Sequence, residues 1–290
     1  MASGSGNISI QDAIWFAADL GYQFQTTSRI MPAVRTLDIG NNRTYTGHYI
    51  RSLRLGERPV FQTAQITAYQ AEVQAWECPC FVEDVSLSNV QFGASVIGKV
   101  VTSIGMELGR RADRVFIAGM NAQYDPSNTL DLGGYYNVQG LSQARNMLGQ
   151  KAVSGRLINL IDYEQFNNLL TDDRFSNWFF NNEKPLALNY PTPNEDKYFE
   201  YQGMLFIKLS DQTPLPKNAA GKTRTFMFST DSCLFLHGSV EPYGLFGVQT
   251  QFQVHRGGWD INNRTRLGFV MEQPAGCLAV EAQSDYRPIV

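Results

Sequence analysis

The sequence predicts an α+β protein organised around one long helix. Apolar residues recur at helical spacing between Ser88 and Asn121. Apolar and polar residues alternate in a run that begins at Ile66, and again from Val248 to His255, as expected of strands with one buried face. Residues 131–247 mix short helical patterns with strand patterns, which completes the α+β prediction.

The long helix is predicted to carry an apolar stripe and a polar stripe. The apolar stripe consists of Ile97, Val100, Val101, Ile104, Leu108, Ala112 and Val115. The polar stripe consists of Lys99, Ser103, Glu107, Arg110 and Arg114. A helix from Phe92 to Asn121 would be about 45 Å long at about 1.5 Å per residue, which indicates a flat, extended subunit.

Three glycines, Gly98, Gly105 and Gly109, project from this helix in nearly the same direction. Each lowers the helix propensity by roughly 1 kcal/mol relative to alanine, so something must offset that cost. We expect close helix packing along this line, with another backbone lying where a side chain would hold it away.

Composition argues against a protein that binds the phosphate backbone of nucleic acids, and it favours self-association. Lys plus Arg number 24 against 27 Asp plus Glu, a net charge of −3, and no basic block is present. Charged residues make up 18 %, below the usual quarter or so, and the polar surface is rich in amides. Weakly charged surfaces associate readily, although a compositional bias of the host explains the same numbers.

The four cysteines and three histidines follow no disulfide or metal-binding spacing. Cys78-Pro79-Cys80 offers at most two ligands, whereas a zinc site needs three or four. We therefore expect no metal and no cofactor. No signal peptide is recognisable and no apolar run approaches the roughly 18 residues of a membrane span, so we expect no membrane partner and synthesis in the cytoplasm.

The first 34 residues are predicted to form an N-terminal arm. Ile8–Leu20 has the spacing of a short amphipathic helix, and Gly21 ends it. Tyr22–Val34 shows little periodicity, as expected of an arm that lies on a surface rather than inside a core.

Residues 35–85 are predicted to form a long two-stranded ribbon. Thr36–Ile39 and Thr44–Thr46 flank a Gly40-Asn41-Asn42 turn, and the strand that begins at Ile66 continues for nearly twenty residues. Its apolar face is mostly alanine, so the ribbon cannot hold a core alone. We expect it to lie against another molecule. The alternative is a hairpin folded onto its own domain.

The remaining elements are predicted from local periodicity. Asp125–Asn128 is a turn, Gly133-Gly134 a flexible joint, and residues 171–193 an aromatic-rich loop. Gly257-Gly258 and Asn262-Asn263 interrupt the last strands. The predicted helices are 139–150 and 163–170, and the predicted strands are 156–161, 198–209, 225–236, 248–255, 266–272 and 278–282.

The motif search favours a structural protein over an enzyme. The sequence contains no phosphate loop, nucleophile elbow or dinucleotide fingerprint. Asp172-Asp173 and Glu195-Asp196 have the setting of solvated turns. The arginines at 110, 111 and 114 could bind phosphate, but Glu107 lies four residues before Arg111 and Asp113 lies beside it, which favours a satisfied helix surface.

The predicted order is an N-terminal arm, a long two-stranded loop, one long helix, an α+β block and a return strand. This order resembles the major capsid proteins of tailed double-stranded DNA bacteriophages, which share the Hong Kong 97 fold. Met106–Arg114 is similar to the end of that family's spine helix, and Arg266–Ala275 to its closing strand and Pro-Ala step.

The resemblance implies a virion protein that forms pentamers and hexamers of an icosahedral shell around double-stranded DNA, bound without sequence readout. It implies assembly in the bacterial cytoplasm, with a portal protein and a possible decoration protein as partners. The implied segments are an arm (1–34), an extension loop (35–85), a peripheral domain with the spine helix (86–130), an axial domain (131–247) and return strands (248–290).

Two departures from the family pattern refine the partners. The chain begins about thirty residues before the extension loop, which implies a separate scaffolding protein instead of a long removable scaffold segment. No lysine precedes Lys99, so a lysine-based covalent cross-link from that loop is not expected.

Charged residues of the extension loop are predicted to form contacts between subunits. The arginines are Arg43, Arg51, Arg54 and Arg58, and the acidic partners on an adjacent subunit are Glu72, Glu77, Glu83 or Asp84. An alternative on the same fold is an encapsulin-like bacterial compartment that packages cargo enzyme. A more remote alternative is a soluble α+β enzyme.

Overall fold

The computed structural model describes residues 27–39, 44–50, 66–83, 93–151, 154–181, 197–238, 248–253, 255–256 and 258–283. The described helices are α1 (Gly93–Gln123), α2 (Val138–Gln150), α3 (Tyr163–Leu170) and α4 (Asp173–Asn181). The first six strands are β1 (Thr36–Asp38), β2 (Thr44–Ile50), β3 (Ile66–Glu72), β4 (Gln74–Glu83), β5 (Thr129–Tyr135) and β6 (Leu157–Ile161). The others are β7 (Tyr198–Tyr201), β8 (Met204–Lys208), β9 (Thr223–Ser229), β10 (Cys233–Gly238), β11 (Val248–Gln253), β12 (Gly258–Met271) and β13 (Cys277–Gln283).

A six-stranded sheet has the order β5-β13-β9-β6-β8-β7 and is covered on both faces. Successive side chains of a strand point to opposite faces. On β8, Leu205 and Ile207 pack in the same apolar cluster as α1, whereas Met204 and Phe206 pack in the cluster of α2, α3 and α4. Burial on both faces explains why these strands read as continuous apolar runs.

A second sheet has the order β1-β10-β12-β11, and β4 also pairs with the long strand β12. Phe235 on β10 and Phe269 on β12 pack in the cluster of α1. Leu234, Leu236 and Val270 point to the other face, where they pack with Ile39 and Val73. The α+β prediction is confirmed, with α1 packed against both sheets.

Strands β2 and β3 form a separate two-stranded sheet, here called the ribbon. Their register runs from Thr44 opposite Glu72 to Ile50 opposite Ile66. The predicted long strand from Ile66 is confirmed as β3 and β4, which are separated by the buried residue Val73. The chain therefore passes directly from the ribbon into the second sheet.

The predicted hairpin between Thr36–Ile39 and Thr44–Thr46 is wrong. Thr36–Asp38 pairs in parallel with β10, with Thr36 opposite Phe235. A local turn signal cannot reveal a partner that lies about 200 residues away in the sequence. The intervening Gly40-Asn41-Asn42 lies outside the described residues.

The arm prediction is wrong for its last residues, because Ser28 and Ile30 are buried in the core. The predicted helix Ile8–Leu20 lies outside the part of the chain that the structure describes.

Three predictions of irregular structure are also wrong. Within the predicted loop 171–193, Asp173–Asn181 is the helix α4, whose Phe175 is buried. Asn262 and Asn263 pair with neighbouring strands inside β12. Gly133 and Gly134 lie in β5, where the pairing with β13 shifts register and Gly133 adopts a positive φ of 67°.

The predicted strand 225–236 is two strands, and these belong to different sheets: β9 to the six-stranded sheet and β10 to the second sheet. The predicted helices at 139–150 and 163–170 are confirmed as α2 and α3, and the closing strand as β13. The turn at 125–128 is confirmed by a hydrogen bond from Asn128 N to Asp125 O of 2.9 Å.

Candidate functional site: the long helix between the sheets

Phe116, at the middle of the buried face of α1, contacts both sheets. Its ring centroid lies 5.7 Å from that of Phe228 on β9 and 4.8 Å from that of Phe269 on β12, the latter in a T-shaped arrangement. Ile104, Leu108 and Ala112 continue the buried face, as the predicted apolar stripe requires. The helix therefore couples the positions of the two sheets.

The C-terminal half of α1 lies very close to β12. A Cβ atom added at Gly119 would be 2.5 to 2.6 Å from three atoms of Phe269, so glycine is needed at this approach. The side-chain amide of Gln123 donates to Phe269 O at 3.3 Å and accepts from Met271 N at 2.8 Å. Gln123 thus bonds to the backbone of β12 as a neighbouring strand would.

Asp113 joins α1 to the N-terminal segment. Its carboxylate accepts hydrogen bonds from Ser28 Oγ at 2.6 Å, Arg29 N at 2.9 Å and Ile30 N at 3.2 Å. The side chain is buried, so the prediction that Asp113 belongs to a satisfied helix surface is wrong. Two backbone N–H groups and one hydroxyl that would be unpaired in the core are satisfied by this one group.

Burial raises the pKa of Asp113 from 3.8 to about 6, because desolvation of the carboxylate outweighs the hydrogen bonds from Arg29, Ser28 and Ile30 that lower it. The carboxyl is therefore mostly ionised at pH 7 and mostly protonated at pH 5. The titrating carboxyl of Asp113 thus lies where the N-terminal segment meets the helix.

The N-terminal segment is held from the other side by the six-stranded sheet. Tyr198 Oη donates to Arg29 O at 2.6 Å, and the Arg29 guanidinium donates to Lys208 O. The Arg29 side chain also lies 5.9 Å from the centre of the Tyr163 ring. These contacts place the segment that precedes β1 between α1 and β8.

The outer face of α1 carries the predicted polar stripe. Glu107 pairs with Arg110 at 3.8 Å and with Arg114 at 3.1 Å, and Arg114 Nε donates to Gln212 O at 2.9 Å. These pairs are partly exposed, so each contributes little stability. Beside them, a groove of about 480 Å³ runs between the helix and β12 and is lined in part by Arg111 and Arg114.

Near its C-terminal end, α1 is tied to the six-stranded sheet by a half-buried ion pair. Arg224 Nη2 lies 2.7 Å from Glu281 Oε1, and Arg224 Nη1 donates to Asn121 Oδ1 at 2.7 Å. The Arg224 guanidinium lies 4.9 Å from the centre of the Tyr124 ring. This pair links β9, β13 and the helix.

The side-chain contacts of the predicted contact residues are not described by the structure. Arg43, Arg51, Arg54, Arg58 and Asp84 are outside the described residues. Glu72, Glu77 and Glu83 lie in β3 and β4, with only their backbone positions described. Contacts between these arginines and acidic groups remain a prediction.

The predicted glycine line lies within α1, and Gly105 and Gly109 are buried. The burial of Gly98 is not described, and the close packing of all three remains a prediction. The sequence interpretation missed Gly119, Gln123 and Asp113. A lone acid between Ala112 and Phe116 was the available signal for the last of these, because it interrupts an apolar stripe.

The described residues contain no group of three His, Cys, Asp or Glu side chains that could hold a metal ion. Cys233 and Cys277 are free thiols buried in the core, and burial raises the pKa of Cys277 to about 12. None of the helices in the described ranges is long and apolar enough to cross a membrane.

A long helix between two sheets, with a ribbon that extends from one of them, defines the Hong Kong 97-type capsid fold. The family model described as Phage capsid protein matches residues 60–282, and the chain belongs to this family. It is a major capsid protein, a structural component of the virion. No match is found among curated protein sequences.

Three solved structures illustrate how widely this fold is shared. The SrpI encapsulin of Synechococcus elongatus has a TM-score of 0.65 at 10 % identity, over 92 % of each chain. The capsid of Ralstonia phage GP4 has a TM-score of 0.63 at 11 % identity, over 89 % of this chain and 87 % of that one. A virus-like particle from Pyrococcus furiosus has a TM-score of 0.61 at 9 % identity, over 94 % of this chain and 100 % of that one.

Proposed function

We propose that copies of this chain form pentamers and hexamers of an icosahedral shell that encloses double-stranded phage DNA. The observation that carries the proposal is membership of the phage capsid family over residues 60–282. The ribbon adds a physical reason, because a two-stranded sheet is marginal in water by itself and gains stability from a neighbour. A closed shell offers each subunit such neighbours on all sides.

The segments have separate roles in this proposal. Residues 35–85 are the extension loop, 86–130 and part of 248–290 form the peripheral domain, and 131–247 form the axial domain around the capsomer centre. The arm, residues 1–34, lies before the loop. Helix α1 is the spine, and its buried face packs on both sheets.

The DNA in the shell is held without sequence readout. A net charge of −3 leaves only scattered cationic contacts per subunit, which suits a container more than a binding protein. A separate scaffolding protein, a portal protein and a decoration protein are the expected partners, with assembly in the host cytoplasm. The role is structural and involves no catalysis.

Electron microscopy of the protein expressed with and without a candidate scaffolding protein tests the proposal. We expect closed icosahedral particles of uniform size with the scaffold, and aberrant or fewer particles without it. A compact monomer under both conditions would contradict the proposal.

The ribbon contacts are tested by reversing one charge. Arg54→Glu should lower particle yield and heat resistance, because like charges would face each other across the subunit boundary. The matched control is Arg174→Glu, an exposed arginine on α4. Unaltered yield and heat resistance in Arg54→Glu would remove the support for these contacts.

A second candidate is an encapsulin-like compartment that packages a cargo enzyme. The similarity to the SrpI encapsulin, a holo complex, supports this second candidate through the shared fold. The two proposals differ in what the particle encloses. Particles treated with nuclease and then opened should release DNA in the first case and a cargo protein in the second.

A further inference from the structure

Strand β12 has one partner on each side over most of its length, but among the described residues no strand pairs with one side of its last residues. Leu267 opposite Gln74 is the last pair between β12 and β4. On the other side, pairing with β10 continues to Met271 opposite Cys233. The edge of β12 from Gly268 to Met271 is therefore open toward β4.

The direction of the backbone groups on this edge follows from the ladders. Arg35 O accepts from Phe235 N, and His237 O accepts from Ile39 N, so these residues of β10 turn their backbone groups toward β1. Leu234 and Leu236 must then bond to Val270 and Gly268 on β12. Phe269 O and Met271 N consequently point to the open edge.

Gln123 occupies this edge. Its side-chain amide donates to Phe269 O and accepts from Met271 N, the two groups that the next residues of a β4-side strand would bond. The continuing register would place Glu72 opposite Phe269 and Gln70 opposite Met271, since Gln74 is opposite Leu267. Instead β3 ends at Glu72 and pairs with β2 in the ribbon, and β4 begins only at Gln74.

We infer that Gln123 is a positioning residue that stops strand pairing on β12 and so sets the point where the ribbon leaves the sheet. The edge of β12 has two alternative partners, the Gln123 amide and the backbone of residues 70–72. While the amide is bound, the ribbon departs at Val73, which is buried beside Val270. Without it, the ladder extends by up to two pairs and the base of the ribbon turns toward the sheet.

Hydrogen exchange on the unassembled full-length chain tests this inference, whether or not shells form. In Gln123→Ala, the amides of Gln70 and Glu72 should exchange about tenfold more slowly, because each gains a backbone acceptor on β12. Met271 N should stay protected, because Gln70 O replaces the Gln123 acceptor. Faster exchange at Met271 with no gain at residues 70 and 72 would overturn the inference.

A second variant and a control keep the result specific. Gln123→Glu retains the acceptor for Met271 N but removes the donor to Phe269 O. The pairing of Gln70 with Met271 therefore stays blocked, and protection at Gln70 should increase less than in Gln123→Ala. Gln143→Ala, at an exposed glutamine of α2, should leave the exchange of residues 66–72 unchanged. The same gain in the control, or equal gains in both Gln123 variants, would overturn the assignment to Gln123.

Discussion

At the scale of single residues, the most informative group is a buried acid on the long helix. Asp113 satisfies two backbone N–H groups and the hydroxyl of Ser28, but it does so at the cost of desolvating a charge. Its pKa is raised from 3.8 to about 6, so the folded chain binds a proton there more tightly than the unfolded chain does. The stability from this group is greatest below about pH 4 and is lost as pH rises through about 6.

This linkage predicts how Asp113→Asn should behave. The rise of the Asp113 pKa from 3.8 to about 6 corresponds to about 3 kcal/mol. The free energy of unfolding of the natural chain, relative to the variant, should therefore fall by roughly that amount from pH 4 to pH 7. Denaturant unfolding of the unassembled chain at several pH values measures this difference. The control Asp211→Asn, at an exposed site, should show no such trend.

An opposite slope, with the natural chain gaining stability over the variant as pH rises, would contradict the raised pKa. It would mean that the three hydrogen bonds outweigh burial. Sequence alone could not resolve this balance, because Ser28 lies 85 positions from Asp113. The sequence pattern instead indicates a satisfied helix surface, with Asp113 beside Glu107 and Arg111.

At the scale of elements, local periodicity predicts the helices whose own apolar pattern determines them, and it does not predict elements that depend on distant contacts. The long helix, α2 and α3 were found because apolar residues recur over two or more turns. Helix α4 was missed, because its Asn, Asp and Phe content resembles a loop and its stability comes from ring packing around Phe175. The partner of β1 was missed because pairing in the second sheet is long-range.

The contact between α1 and β12 yields a prediction at this scale. Gly119→Ala should destabilise the fold by about 1 to 3 kcal/mol, because the added methyl group overlaps Phe269. Gly149→Ala on α2 is the matched control, since a Cβ there meets nothing within 4 Å. That variant should be stabilised by about 0.5 to 1 kcal/mol through helix propensity. Thermal and denaturant unfolding would measure both, and equal changes of one sign would contradict the close approach.

At the scale of the whole molecule, the two largest apolar clusters and the separate two-stranded ribbon suggest a division between folding and assembly. Side chains of the α1 cluster and of the α2–α4 cluster cover the two faces of the six-stranded sheet. Sequence reasoning reached the overall architecture because the order of elements is encoded locally. It did not reach the residues that set the geometry between them, such as Gln123, because these act through contacts distant in sequence.

The ribbon should therefore be dispensable for folding and required for the shell. Ile39 and Val73, which flank it, pack in one apolar cluster, so a short Gly-Ser linker can replace residues 40–72. The shortened chain should remain folded, with near-native circular dichroism and a cooperative thermal transition, because both main cores are intact. It should elute as a monomer or small oligomer and form no closed particles when the scaffold is present. The reason is that each subunit has lost the ribbon contacts proposed with its neighbour. Particles of normal size and heat resistance from this chain would show that the ribbon is not required for assembly.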